Sequence, residues 1–308
     1  MKKVLVRMTK LYAISDLHVD YHDNWDIIGK WHKEKYGSHC LLLAGDVSDN
    51  INLLEKTLRL LKEKFFRVFF VPGNHDLWIR KRSSTSDSID KFHQILDLCK
   101  TVGVLTYPEK IADQFWVVPL FSWYTTPEEN VEDSLYVRPT QFVENTEKSN
   151  QIWMDNHLCK WPKLDLKSRS EYFTNINKER VDRTYDAPVI SFSHFLPRKD
   201  LIKPDASEEW LCQQERLSLG LSPIIPPAEG GAVGFNFTRY AGCTTLESQI
   251  RKLASVLHVH GHQHRNRDRV IDGVRYVSHC LGYTREREQG YMWGLQEWEA
   301  GPKQVWPL

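Results

Sequence analysis

The chain has 308 residues, with 41 Lys+Arg against 40 Asp+Glu and a formal net charge of +1. A hydrophobic fraction of 41% beside 26% charged residues is ordinary globular composition and excludes wholesale disorder. The near-zero balance argues against a general nucleic-acid-binding protein, whose phosphate contacts need a basic excess.

The start, MKKVLVRMTK, carries basic residues but no apolar stretch of signal-peptide length. Residues 11–15 (LYAIS) predict a first strand, closed by Asp16-Leu17-His18. Residues 40–44 (CLLLA) predict a second, ended by Gly45-Asp46. Apolar residues at 51, 54, 58 and 61 give 51–64 the spacing of a helix, with Asn50 placed to cap it. Residues 68–71 predict a third strand, ended by Pro72-Gly73-Asn74. An amphipathic helix over 89–101 and a strand over 103–106 follow. From about 121 to 187 the pattern loosens around Pro127, Pro139 and Pro162. A strand over 188–192 leads to His194, and 200–250 is again irregular, with EGGAVG at 229–234. Strands resume at 256–259, 274–277 and 291–295.

Short apolar runs alternating with helices indicate an α/β sheet. We therefore expect one domain over 1–308, with insertions at about 121–187 and 200–250 lying over the site as a rim or lid. No run reaches the roughly 18 apolar residues of a membrane span. The six cysteines, at 40, 99, 159, 212, 243 and 280, form no C-x-x-C and read as reduced thiols. A soluble, cytoplasmic protein without membrane contact is the expectation.

The first three runs each stop at a turn bearing an acidic, amide or imidazole group. Ligands of open α/β sheets sit beyond the carboxyl ends of the strands, so these turns point to a site. Alternate positions on an extended segment share a side, so Asp16 and His18 can face one ion, and the closely spaced His262 and His264 can serve two. Carboxylate, amide and imidazole together suit Mn, Fe, Zn or Ni rather than Ca or Mg. The lack of clustered Cys argues against a structural zinc site. Any one of these histidines alone would pass as a core or surface residue. His260, just before the glycine, reads as a packed strand residue.

Five pieces in order, D-x-H at 16–18, G-D-x-x-D-N at 45–50, G-N-H-D at 73–76, S-H at 193–194 and G-H-x-H at 261–264, resemble the calcineurin-like metallophosphoesterase superfamily. The resemblance covers about 11–82, 188–199 and 256–280, and neither insertion matches a known motif. It implies an α/β fold, a four-layer α/β/β/α sandwich of two mixed sheets. It also implies a hydrolase with two divalent transition-metal ions, drawn from manganese, iron, zinc or nickel. Asp16, His18 and His264 would hold one ion and Asn74, His194 and His262 the other, with Asp46 bridging. Water between ions about 3.5–4 Å apart would be acidified and aimed at phosphorus. The resemblance makes His75 a general acid or phosphate clamp, oriented by Asp76 or Asp49. Asp49 could also hold a ligand in place from behind. Arg80 and Arg198 could join Asn74 and His75 in binding substrate oxygens, or could be surface arginines.

Departures narrow the class. Purple acid phosphatases carry Tyr where Asp49 stands, and protein Ser/Thr phosphatases carry Arg and Glu where Asn50 and Asp76 stand. The expectation is therefore a phosphomonoesterase acting on a small-molecule phosphoester. The alternatives are a phosphodiesterase or pyrophosphatase on a nucleotide-like or nucleic-acid substrate, and a binding or scaffold protein that lost catalysis. The aromatic set Trp116, Trp123, Tyr124, Trp153 and Trp161 either fills a second core or walls a substrate pocket. Arg265, Arg267 and Arg269 read as a solvated edge or a substrate funnel.

Overall fold

The computed structural model describes residues 9–81, 83–125, 132–139, 144–163, 168–218, 220, 235–288 and 301–307. Among the described residues, ten strands form two sheets. In chain order they are β1 (Leu11–Ile14), β2 (Cys40–Leu43), β3 (Arg67–Phe70), β4 (Glu109–Ile111), β5 (Phe115–Pro119), β6 (Val189–Phe192), β7 (Ser255–His260), β8 (Arg267–Ile271), β9 (Val274–Ser278) and β10 (Lys303–Trp306). The first sheet runs β10-β1-β2-β3 and the second β4-β5-β6-β7-β9-β8. β1, β2 and β3 are parallel, as are β5, β6, β7 and β9, while β10, β4 and β8 pair antiparallel.

The near-continuous apolar runs follow from this placement, because strands covered on both faces cannot alternate with polar residues. β1 and β2 are buried at every position. The main core joins Leu42 and Phe69 of the first sheet to Val117, Ile190 and Val259 of the second. Helices Ile51–Lys64 and Ser88–Val102 cover the first sheet through Leu54, Leu58, Phe92 and Ile95. Helix Thr244–Lys252 covers the second through Leu246 and Ile250, against Val118 and Tyr276. The result is the four-layer α/β/β/α order. Asn50 caps its helix, its side-chain oxygen accepting from the amides of Asn52 and Leu53.

Three sequence expectations need correction. Residues 103–106 form no strand. Gly103 ends the preceding helix in a left-handed conformation, and only a single bridge, Phe69 to Leu105, follows. β5 lies just before the first loose stretch and was missed. β8 takes up Arg267 and Arg269 of the basic run; Arg267 is buried and Arg269 pairs with Glu208 at 2.9 Å, so neither of these two is a solvated edge or a funnel, while Arg265, ahead of the strand, stays part-exposed. The strand expected at 291–295 lies outside the described residues. Cys40, Cys99, Cys159, Cys243 and Cys280 are buried free thiols. Among the described residues, no helix is long and apolar enough to cross a membrane.

Candidate metal centre

Five parallel strands, three in the first sheet and two in the second, each deliver polar groups just past their carboxyl ends. Asp16 and His18 follow β1, Asp46 follows β2 and Asn74 follows β3. His194 follows β6, and His262 and His264 follow β7. All seven are buried, between 0% and 9% exposed, which is far from the usual surface place of Asp and Asn. Among the described residues, three groups converge closely enough to hold an ion, Asp16–His18–His264, His18–Asp46–His75 and Asp46–His194–His262. His264 Nε2 lies 3.3 Å from Asp16 Oδ1, and His194 Nε2 lies 3.4 Å from Asp46 Oδ2. Asp46 and His18 thus link the outer groups.

Tight turns make this convergence possible. Asp16, His18, Asp46, His262 and His264 all adopt positive φ, from 42° to 75°. Such backbone costs of order 1–3 kcal/mol per residue and persists only where the surroundings hold it. The motif glycines create the space. A side chain at Gly45 would strike the His194 ring, and one at Gly73 would strike the Asp46 carboxylate. At Gly261 a Cβ would stand 2.7 Å from Ser15 Cβ and 2.8 Å from Asp16 Oδ2.

The outward ring nitrogens fix the inward ones. His194 Nδ1 donates to the Ala44 carbonyl at 2.8 Å, His262 Nε2 to the Tyr240 carbonyl at 2.9 Å, and His264 Nδ1 to Glu286 at 2.7 Å. A neutral imidazole bonded this way turns a lone pair inward. Asn74 is oriented equally firmly. Its Nδ2 donates to Asp155 at 2.9 Å, so Oδ1 faces His194 Nε2 at 3.1 Å and His262 Nδ1 at 3.0 Å. His18 Nε2 stands 2.9 Å from His264 Nε2. Lone pairs aimed at lone pairs repel unless a proton or a cation lies among them, so the donor set fits divalent metal ions.

The electrostatics agree. Burial lowers His194, but Asp46 and Asp16 overcome it and hold the ring up at about 9. Burial likewise opposes His264, which Asp16 and Glu286 raise to about 10. Burial pushes Asp16 up, yet His264 and His194 bring it to about 2. The pocket draws positive charge to its carboxylates.

His75 sits at the mouth, its side chain 22% exposed and its Nε2 3.9 Å from Asp46 Oδ2. Its ring packs on Trp78 with centroids 3.6 Å apart. The roles expected for Asp76, Asp49, Arg80 and Arg198 do not match the geometry. Asp76 turns away from His75 and accepts the backbone amides of Asp46, Val47, Ser48 and Gly73 at 2.8–3.0 Å. It anchors the turn that carries Asp46. Asp49 pairs with Arg80 at 2.7 Å instead of holding a ligand, which also takes the Arg80 guanidinium. Arg198 is bound by Asp200, Glu247 and Asp272, none of them in the cluster.

Sequence reasoning missed three residues. Asp155, on the short helix Asp155–Leu158, also accepts Trp78 Nε1 at 2.7 Å and Trp153 Nε1 at 3.0 Å. Glu286 lies on helix Thr284–Glu288. Tyr283 stacks on His18 with centroids 4.6 Å apart. The aromatic set divides between both of its readings. Trp123 is fully buried in the main core, whereas Trp153 stacks on Tyr240 and meets His262 edge-on at 5.8 Å.

A four-layer sandwich with buried Asp, Asn and His converging at the strand ends defines a metal-dependent phosphoester hydrolase. The calcineurin-like phosphoesterase model matches residues 9–266, and the chain belongs to that family. It is similar to the [acyl-carrier-protein] phosphodiesterase PptH of Mycobacterium tuberculosis (strain ATCC 25618 / H37Rv), 23% identical over 299 residues, 92% of this chain and 81% of that protein. The crystal structure of phosphopantetheinyl hydrolase (PptH) from Mycobacterium tuberculosis shares the fold, with a TM-score of 0.66 at 21% identity over 97% of this chain and 96% of that one.

Proposed function

We propose that the protein hydrolyses a phosphodiester, with the phosphopantetheinyl linkage of an acyl carrier protein as its substrate class. Charge at the site carries the reading. A phosphomonoester is a dianion near neutral pH and gains from basic side chains as well as metal ions. Both arginines expected to supply that charge are held by carboxylates, Arg80 by Asp49 and Arg198 by Asp200, Glu247 and Asp272. A diester carries a single negative charge and needs less. Similarity to an acyl-carrier-protein phosphodiesterase over most of both chains supports the same class.

Asp16, His18 and His264 would hold one divalent ion, Asn74, His194 and His262 the other, and Asp46 would touch both. Manganese, iron, zinc and nickel all suit these donors. Bound there, the ions supply Lewis acidity to the phosphoryl oxygens and lower the pKa of the attacking water. Asp155 keeps the Asn74 amide oxygen turned inward, and Asp76 fixes the Asp46 turn. His75, the most exposed imidazole of the site, donates a proton to the leaving oxygen as the P–O bond breaks. On a carrier protein that oxygen belongs to serine, and phosphopantetheine departs with the phosphate.

Purified protein with each metal is tested on bis(p-nitrophenyl) phosphate, p-nitrophenyl phosphate and a phosphopantetheinylated carrier. Faster cleavage of the diester and release of apo carrier, seen by mass spectrometry, are expected. Preference for the monoester with an intact carrier would return the assignment to a small-molecule phosphomonoesterase.

A further inference from the structure

We propose that the cavity walled by Tyr21 and Tyr283 receives the pantetheine arm of the substrate, an inference that rests on the phosphodiester reading above. The cavity has a volume of about 750 Å³, and Asp23, Arg265, Arg285 and Glu286 also line it. That volume lies within the roughly 300–1,000 Å³ usual for small-molecule sites.

Its wall is shared with the metal-ligand cluster. The Tyr283 ring stacks on His18 at 4.6 Å and meets His264 edge-on at 5.0 Å. Glu286 lines the same cavity and binds His264. A phosphoryl group beside Asp16, His18 and His264 therefore has this space next to it for one ester substituent. A second cavity, of about 770 Å³, lies around Asp49, Arg80 and Lys91. Two of its three cations, Arg80 and Lys91, are already satisfied. Arg80 pairs with Asp49, and Lys91 Nζ donates to the carbonyls of Asp49 and Trp78 at 2.6 and 2.5 Å.

The lining suits a slender chain that is partly apolar and partly amide. Tyr21 meets Tyr283 edge-on at 5.1 Å and remains 52% exposed, which leaves a broad aromatic face open to solvent. Such a face packs against the geminal methyl groups of pantetheine, and the tyrosine hydroxyls can bond its hydroxyl and amides. Among the described residues, no hydrogen bond engages either hydroxyl.

The test uses the full chain loaded with manganese. Calorimetry compares 4′-phosphopantetheine, inorganic phosphate and AMP on the wild type, Tyr21→Ala and Tyr283→Phe. The wild type should bind 4′-phosphopantetheine at least about tenfold more tightly than phosphate. Tyr21→Ala should weaken 4′-phosphopantetheine about fivefold to tenfold and phosphate less than twofold, consistent with one lost aromatic contact. KM for the phosphopantetheinylated carrier should rise by a similar factor, with kcat changed less. Tyr283→Phe keeps the ring on His18 and should show a smaller loss in the same direction. Equal weakening of phosphate and 4′-phosphopantetheine, or a wild type that prefers AMP, would overturn the proposal. If the wild type cleaves diesters without distinguishing 4′-phosphopantetheine from phosphate, the cavity assignment falls and the diester reading stands. If it shows the preference but cleaves only monoesters, the diester reading falls and the cavity assignment stands.

Discussion

The two halves of the cluster are held by different means. His264, in the half with Asp16 and His18, is backed by a carboxylate, Glu286, and the Tyr283 ring that packs on His18 also lines an open cavity. His194 and His262, in the half with Asn74, are backed by the main-chain carbonyls of Ala44 and Tyr240. Phe195 packs on His262 with centroids 4.4 Å apart, and Trp153 closes over it. A carboxylate makes the imidazole it binds a stronger donor, and one substitution can remove it. A backbone carbonyl cannot be substituted. The imidazole His264 of the first half is therefore tunable through a side chain, whereas His194 and His262 of the second are held by main chain, and only Asn74 there, through Asp155, rests on a replaceable side chain.

Substitutions can break or sharpen this contrast. Asp46 belongs to both halves, so Asp46→Asn should remove most bound metal and nearly all turnover. Elemental analysis and diester kinetics check this, and a fully active variant would sink the shared role. His75 belongs to neither backing arrangement. His75→Asn should keep the metal content and slow esters with poor leaving groups by about 10²–10⁴-fold. Equal slowing of activated esters would count against proton donation. Asp155→Asn should weaken the second half alone, by about 10–100-fold in metal affinity. Glu286→Gln should weaken the first half alone, by about tenfold. Metal titrations that resolve two affinities test both, and loss in both halves from either variant would erase the contrast.

Much of the first-sheet side of the cluster is legible in the chain, because β1, β2 and β3 each end directly at their polar turn. Asp16, His18, Asp46 and Asn74 lie within three residues of an apolar run. His194, His262 and His264 follow strands of the second sheet in the same way. The residues behind them are not legible, for identifiable reasons. Asp155 sits on a single helical turn in a stretch without periodicity, and only the fold brings it to Asn74. Glu286 lies in a run of alternating charge, TRERE, that reads as a solvated helix face. Asp76 adjoins His75 in sequence, but the tight helical turn at His75–Leu77 directs its carboxylate back to the Asp46 loop. Arg80 and Arg198 follow their motifs closely, yet nearby carboxylates claim them. β5 was missed because its FWVVP run ends in proline and adjoins irregular chain. β10 pairs at the edge of the first sheet, far along the chain from its neighbour β1.

Asp16, His18, Asp46 and Asn74 extend from one sheet, and His194, His262 and His264 from the other. Ions gripped by both sets would act as rivets between the two layers, and the melting temperature would climb with free metal. Ligand at about 100 times its dissociation constant adds about 2.7 kcal/mol per site, so a chelator should loosen the sandwich along this seam.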